Sequence, residues 1–143
     1  MATNRTAEVT WHGDLMSGSG RVDSVTSGAI GGLDVDWRAR SEDAGSKTSP
    51  EELIAAAHAA CFSMALSNGL GQAGHAPEEL KTSATVTFQP GEGIKSSELT
   101  VRGTVPGLSA EEFNRAAEAA KAGCPVSQAL TGIEISLDAD LAG

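Results

Sequence analysis

Two cysteines are the residues of this chain best suited to covalent chemistry, and they lie 63 positions apart, at Cys61 and Cys124. A cysteine thiolate can act as a nucleophile, a metal ligand or a disulfide partner. The separation matches no zinc motif. A redox pair would require the two Cα atoms to come within about 7 Å of each other. The elements that carry the thiols therefore decide which chemistry is open to them.

Cys61 lies in an apolar stretch whose pattern predicts a helix. Ser49 and Glu52 have the spacing of a capping box, a proline occupies the first helical position, and the helix is expected to end at Gly69 or Gly71. Apolar residues surround the axis on all sides, which is typical of a buried core helix; they are Leu53, Ile54, Ala55, Ala56, Ala57, Ala59, Ala60, Phe62, Met64, Ala65 and Leu66.

Cys124 lies between two predicted helices, because Gly123 is typical of a helix end and Pro125 of a helix start. This places the thiol at an N-cap, where backbone N–H groups stabilise a thiolate. His58, one turn before Cys61, opens the alternatives of a Cys/His dyad for acyl transfer or a metal site. We favour a hydrogen-bonded core or interface histidine.

Composition excludes several classes of partner. The formal net charge of −9 and the pI near 4.6 argue against nucleic acid and anionic membranes, which bind basic surfaces. We expect no secretory signal and no segment apolar over the roughly 18 residues that a membrane span requires. The central helix is interpreted as too short and too rich in alanine to cross a bilayer. These observations predict a cytoplasmic protein, and two cysteines in that reducing compartment favour free or catalytic thiols.

The remaining pattern predicts the element order β-β-β-α-β-β-α-α-β and an α+β fold with helices on one face of a mainly antiparallel sheet. A second capping box, Ser109 with Glu112, opens the second long helix. The other expected elements are strands at Ala7–Trp11, Arg21–Thr26 and Leu33–Arg40, a hairpin of Leu80–Gln89 with Lys95–Val105, a helix at Ala110–Ala122, a short helix after Pro125, and a last strand from Ile133.

Two segments resemble the osmotically inducible protein C (OsmC) family of thiol-dependent peroxidases. They are P-E-E-L-I-A-A-A-H-A-A-C-F-S-M-A-L, which contains Cys61, and A-G-C-P-V-S-Q-A-L, which contains Cys124. The opening W-H-G-D-L-M-S-G-S-G, from Trp11 to Gly20, resembles the OsmC branch and not the organic-hydroperoxide-resistance sister group. The resemblance covers essentially the whole chain. It implies one OsmC-like domain over residues 1–143 and an intertwined homodimer whose central helices lie together between sheets.

The resemblance also implies an arginine, held by a glutamate, that keeps the attacking thiol ionised. The match places these residues at Arg40 and Glu51, with Arg38 and Arg21 as the alternatives for the arginine. Such a cation is needed because burial raises the pKa of a thiol, and arginine stays charged when buried. Ten residues separate Glu51 from Cys61, about 15 Å along a helix. Either an arginine bridges this distance or a second subunit's helix start lies beside Cys61, and we hypothesise the latter.

The implied activity is the reduction of organic hydroperoxides, and more weakly of hydrogen peroxide, under oxidative and osmotic stress. Cys61 would attack the peroxide and become a sulfenic acid, and Cys124 would condense with it to form a disulfide. The implied reductant is a dithiol protein or small thiol, with a lipoyl-linked dithiol as one candidate, and no metal or other cofactor takes part. Phe62, Met64 and Leu53 favour a substrate with a hydrocarbon tail.

Two other functions stay open at this point. A thiol hydrolase or acyltransferase would use Cys61 and His58, would need an oxyanion hole, and would have no need of Cys124. A non-catalytic dimer would bind a small apolar ligand and leave both thiols inert.

Overall fold

A computed structural model describes residues 1–142, which form two compact units: Met1–Leu53, and a second unit from Ile54 onward. The element order is β-β-β-α-α-β-β-α-α-β. This confirms the predicted α+β order, with one additional short helix after the third strand. The expectation of one OsmC-like domain over residues 1–143 stays a prediction.

The first unit contains a three-stranded antiparallel sheet in the order β1-β2-β3. The strands are β1 (Ala7–His12), β2 (Ser19–Val25) and β3 (Leu33–Val35). Val22 on the central strand is buried, whereas every residue of the edge strand β1 is exposed in the single chain. The two predicted strands at the start of the chain are therefore confirmed within one or two residues.

The predicted strand Leu33–Arg40 is wrong beyond its first three residues, because the short helix α1 (Trp37–Ser41) follows β3 directly. Asp36 is the N-cap of α1, and its Oδ1 accepts a hydrogen bond of 2.7 Å from the Ala39 N–H. Its Oδ2 lies 2.7 Å from Lys47 Nζ, and these contacts, the one with Lys47 first, lower the Asp36 pKa. Aspartate is a strong N-cap residue, and here the cap overrides the alternating pattern of a strand.

The central helix, α2 (Pro50–Gln72), begins where the sequence predicts. The Ser49 hydroxyl oxygen accepts from the Glu52 N–H at 3.1 Å, while the Glu52 carboxylate accepts from the Thr48 hydroxyl at 2.9 Å. The helix continues past both predicted end points. It stops before Gly74, whose φ of +87° suits a glycine at a helix end.

Within the single chain, α2 buries one face and exposes the other. His58, Phe62, Leu66 and Leu70 are buried at successive turns, whereas Met64 is 73% exposed. With 23 residues and a mean hydropathy of 1.4 over its most apolar window, α2 has the length and composition of a membrane span. The expectation that no segment reaches that length is therefore wrong, because the alanines add to the mean hydropathy together with the Leu, Ile, Phe and Met residues. Core helices of soluble proteins meet the same criterion.

The second unit contains a three-stranded sheet in the order β4-β5-β6. The strands β4 (Glu79–Gln89) and β5 (Gly93–Thr104) form the predicted antiparallel hairpin. The last strand, β6 (Glu134–Leu141), pairs with β5 in parallel. A parallel neighbour requires a crossover, which the helices α3 (Ala110–Gly123) and α4 (Pro125–Ala129) supply.

The helix α3 has the predicted start and the predicted inner face. Both halves of its capping box are present, since Ser109 and Glu112 each accept a hydrogen bond from the other's backbone N–H. Phe113 packs over Gly103 of β5 so closely that a Cβ on this glycine would lie 2.6 Å from the ring. One core joins α2, α3 and the sheet; its buried residues are Phe62, Leu66, Leu70, Leu99, Val101, Val105, Phe113, Ala117, Ala120 and Cys124.

Candidate active site

The two thiols lie together inside the second unit. Cys61 on α2 is half-buried, Cys124 is fully buried, and both are free cysteines. The Cys61 thiol donates a hydrogen bond to the sulfur of Cys124. The fold thus brings the two thiols together in one core, which the spacing in the sequence leaves open.

Cys124 occupies the junction that the sequence predicts. It ends α3 and is the N-cap of α4, with an extended backbone (φ −60°, ψ 126°) and Pro125 as the next residue. The N–H groups of Val126 and Ser127 and the Ser127 hydroxyl lie close enough to its sulfur to lower the pKa of this thiol. These donors are held by a helix start whose geometry the proline reinforces.

The surroundings of the two thiols shift their pKa values in opposite directions. Burial raises the pKa of Cys61, and the hydrogen bond that it donates to Cys124 raises it further, against the opposing effect of the Val126 N–H. Burial also opposes ionisation of Cys124, but the hydrogen bonds from Cys61, Ser127 and Val126 outweigh it and lower the pKa. In the single chain, a negative charge shared by the pair therefore favours Cys124.

His58 is a buried core histidine with both ring nitrogens occupied. Nδ1 lies 2.7 Å from Ser97 Oγ, and Nε2 lies 2.8 Å from Ser127 Oγ. Burial lowers the His58 pKa, so the ring is neutral at neutral pH. This confirms the interpretation as a hydrogen-bonded histidine and disfavours a Cys/His dyad, because the nitrogens face serines. Residues 1–142 contain no cluster of three or more His, Cys, Asp or Glu side chains suited to a metal ion.

Sequence reasoning missed the two serines that hold His58, although each carries a signal. Ser127 follows Cys124 by three residues, which places it at the N3 position in the first turn of the helix that begins after Cys124. Ser97 continues the inward-facing positions of β5 by one step beyond Leu99. A serine in a run of buried strand positions indicates a buried polar partner.

The predicted arginine and glutamate form a pair in the first unit. Arg40 Nε lies 3.1 Å from both carboxylate oxygens of Glu51, and Nη2 lies 2.9 Å from Oε2. The Glu51 side chain is only 8% exposed. Arg40 belongs to α1, which corrects the prediction that it ends a strand. The alternatives, Arg38 and Arg21, pair with other acids at the surface, at 3.5 and 3.8 Å.

The fold and the thiol pair define a class of protein: an α+β scaffold that holds two free cysteines in contact, one on a long central helix and one at the start of a short helix. Residues 43–138 match the family model described as OsmC-like protein. This match spans more than half of the chain. The chain belongs to the OsmC family.

Individual relatives agree with this assignment. The chain is 43% identical over 145 residues to peroxiredoxin OsmC of Escherichia coli (strain K12), with 99% of each chain covered. It is similar to the crystal structure of an organic hydroperoxide resistance protein from Elizabethkingia anophelis, at 27% identity and a TM-score of 0.69, covering 99% of this chain and 100% of the other. It is also similar to the crystal structure of the organic hydroperoxide resistance protein OhrB of Bacillus subtilis, at 25% identity and a TM-score of 0.62, covering 96% of this chain and 98% of the other.

Proposed function

We propose that this chain is a thiol-dependent peroxidase that reduces organic hydroperoxides, and more weakly hydrogen peroxide, to alcohols or water. Cys61 is the attacking cysteine and Cys124 the resolving one. The observation that carries the proposal is the direct contact of the two thiols within one core. It is supported by the relative named as a peroxiredoxin and by the solved relatives named for organic hydroperoxide resistance.

The proposed cycle begins at Cys61, which is more accessible than Cys124. Its thiolate attacks the terminal peroxide oxygen, the O–O bond breaks, and the alkoxide takes a proton and leaves as an alcohol. Cys61 is thereby oxidised to a sulfenic acid. Cys124 attacks that sulfur, the S–O bond breaks with release of water, and a disulfide forms. A dithiol then reduces the disulfide.

The first step needs a positive group that the thiol pair does not itself provide, because the Cys61 pKa is raised. We assign this role to the Arg40 guanidinium, which Glu51 fixes through two nitrogens. The ten residues between Glu51 and Cys61 span about 15 Å of helix. We therefore propose that the pair acts on Cys61 of a second copy, so that each active site requires a dimer.

The exposed face of α2 supports a homodimer. Ala56, Ala57, Ala60 and Met64 are exposed along this face in the single chain. The small residues permit close approach of a second backbone, and an apolar face of this kind gains free energy when it is covered. We propose that two α2 helices lie together here.

The proposal extends to the environment of the enzyme. A thiol cycle requires no metal and no other cofactor, but it does require an external reductant, for which we propose a dithiol protein or small thiol, including a lipoyl-linked dithiol. A reducing cytoplasm keeps both cysteines available as thiols. The proposed role is antioxidant defence in the oxidative and osmotic stress responses.

The decisive experiment adds cumene hydroperoxide to the reduced protein and counts free thiols. We expect two thiols per chain to disappear with formation of a disulfide. Cys61→Ser should abolish peroxide consumption, whereas Cys124→Ser should allow one turnover and leave a sulfenic acid that dimedone traps.

Other outcomes favour other functions. Turnover that survives in Cys61→Ser would refute the assignment of the attacking cysteine. If the wild-type protein loses no thiols, the thiol hydrolase and the apolar ligand-binding dimer become the better candidates, and thioester hydrolysis assays on the same variants separate them.

A further inference from the structure

A buried series of hydrogen bonds extends from the thiol pair into the core. Ser97 on β5 contacts His58 on α2, His58 contacts Ser127 on α4, and Ser127 donates to Cys124. His58 and Ser97 are fully buried, and Ser127 is 4% exposed. Three secondary-structure elements thus converge on the cysteine through neutral polar side chains.

The contacts assign a direction to each hydrogen bond. The Ser127 hydroxyl gives its single proton to Cys124, so it must accept from His58 Nε2–H. Neutral imidazole then has an unprotonated Nδ1, which accepts the Ser97 hydroxyl proton. Each of the three side chains therefore donates one hydrogen bond to the next group in the series, from Ser97 to His58, from His58 to Ser127 and from Ser127 to Cys124.

We propose that Ser127, His58 and Ser97 are positioning residues for Cys124, which prepare it to attack the Cys61 sulfenic acid and to leave when the disulfide is reduced. This inference rests on the proposed peroxidase function. His58 and Ser97 touch neither peroxide nor the reacting sulfurs. They act by fixing the orientation of the Ser127 hydroxyl.

In the resolving step, the Cys124 thiolate attacks Sγ of the Cys61 sulfenic acid. The S–S bond forms as the S–O bond breaks, and the departing hydroxide takes a proton from solvent to become water. Cys124 is oxidised and the sulfenic sulfur is reduced, so the electrons balance. Donors aimed at Cys124 maintain the ionised form that this attack requires.

The same donors decide which sulfur leaves during reduction. A thiolate of the dithiol reductant attacks Cys61, because Cys124 is 0% exposed, and the Cys61–Cys124 bond breaks. Cys124 then departs as a thiolate, stabilised by Ser127 and by the backbone N–H groups. The second thiol of the reductant releases Cys61 by forming the oxidised reductant. A thiol of lower pKa leaves faster, so these donors accelerate reduction as well.

The first test titrates Cys124 in the Cys61→Ser background by the ultraviolet absorbance of its thiolate. Two titratable groups lie near Cys124: Cys61, which contacts it directly, and His58, which contacts it through Ser127. The Cys61→Ser background removes the titratable group that is nearer to Cys124. Adding Ser127→Ala should reduce the thiolate fraction at a given pH about tenfold, equivalent to about one pKa unit. Ser127→Thr retains a hydroxyl and should restore the wild-type titration.

The second test measures the lifetime of the sulfenic acid after one equivalent of cumene hydroperoxide. We expect Ser127→Ala and His58→Leu to lengthen it about tenfold, with the lifetime counted from the completion of the first oxidation. His58→Gln keeps an N–H near the position of Nε2 and should recover most of the rate. Ser63→Ala is the matched control, because Ser63 is a half-buried α2 serine that bonds to the Ala59 carbonyl and to Thr82.

The outcomes separate this inference from the proposed function. An unchanged Cys124 titration together with an unchanged sulfenic acid lifetime in Ser127→Ala overturns the positioning role and leaves the peroxidase intact. Absence of thiol oxidation in the wild-type protein overturns the peroxidase, and the titration still decides whether Ser127 acts on Cys124. A monothiol captured on Cys124, and not on Cys61, during reduction overturns the assigned leaving sulfur.

Discussion

Arg38 and Arg40 are two residues apart on the same short helix, but they make different contacts. Arg38 pairs with Glu42 at the surface, and its side chain is 77% exposed. Arg40 pairs through two nitrogens with the buried carboxylate of Glu51. An exposed ion pair contributes little to folding, whereas a buried carboxylate depends strongly on its partner. The difference gives a matched comparison for the proposed cation.

Arg40→Gln should slow the reaction of Cys61 with cumene hydroperoxide about tenfold or more, because loss of the proposed cation favours the protonated thiol. Arg38→Gln should leave this rate unchanged. The measurement is the second-order rate constant of thiol oxidation as a function of pH. If both variants react at the wild-type rate, neither arginine supports Cys61.

Removing Arg40 should also destabilise the fold by about 3 kcal/mol, because the Glu51 carboxylate loses its partner. The double variant Arg40→Gln with Glu51→Gln should recover most of this free energy of unfolding but not the peroxidase rate. Urea denaturation together with the rate assay separates the structural effect from the chemical one.

The neutral His58 makes folding stability depend on pH. Its pKa is lowered from the ordinary value of 6.5, so below about pH 6.5 the unfolded chain binds a proton that the folded chain does not. The stability is therefore present above about pH 6.5 and is lost as the pH falls through the folded pKa. Carboxylates such as Asp36, whose pKa is lowered from the ordinary value of 3.8, affect the folding stability only at lower pH.

We expect the free energy of unfolding to fall as the pH drops below about 6.5, with a slope of up to about 1.4 kcal/mol per pH unit. In His58→Gln this slope should diminish, because glutamine does not titrate. Urea denaturation at several pH values measures it. An identical slope in both proteins would mean that other groups cause the pH dependence.

At the scale of the elements, the contact between β5 and α3 positions the helix that ends at Cys124. The Phe113 ring is fully buried and lies against Gly103, where a Cβ would come within 2.6 Å of two ring atoms and 3.1 Å of Leu80. The ring has little room to move, because it is part of the close-packed core. The absence of a side chain at Gly103 thus allows α3 to approach the sheet.

Gly103→Ala should reduce the free energy of unfolding by about 1–3 kcal/mol, the usual cost of overpacking a core. Gly132→Ala is the control, because nothing lies within 4 Å of a Cβ at that position. Its effect should stay within about 0.5 kcal/mol. Thermal or urea denaturation of both variants gives the comparison, and a similar stability for the two would contradict the close approach.

At the scale of the whole molecule, the single chain exposes several large apolar side chains on α2 and near β1. Met64 on α2 and Val9, Trp11, Leu15 and Met16 near β1 are all 40% exposed or more. Burying such residues against a second copy is favourable by roughly 25 cal/mol per Å² of apolar area. In the proposed dimer, a second copy would cover the exposed face of α2 and would bring its Arg40 to Cys61.

Met64→Glu should convert the proposed dimer to a monomer, because two like charges would face each other at the interface of the α2 helices. The peroxidase rate should fall with it, by tenfold or more, if Arg40 acts across the interface. Light scattering and the thiol assay are the measurements, and Ala110→Glu, at the exposed start of α3, is the control. A monomer with the full rate would contradict the shared active site.

Much of the fold could be predicted from local sequence because caps, breakers and apolar periodicity act over a few residues. Pro50 and Ser109 mark helix starts, and Gly123 with Pro125 marks the junction at Cys124. The prediction failed where a helix cap competes with a strand-like alternation, because the periodicity does not show which of the two prevails. Asp36 caps a helix where the alternating pattern continues as if for a strand.

The sequence by itself determined the order of the elements except α1, the inward faces of α3 and β5, and the element on which each thiol lies. Only the tertiary structure decided that Cys61 and Cys124 touch, that Ser97 and Ser127 hold His58, and that Glu51 takes Arg40 as its partner. The physical reason is the range of the interactions. Backbone preferences depend on neighbours a few residues away, whereas a buried polar side chain takes its partner from another element, at a place fixed by packing and strand register.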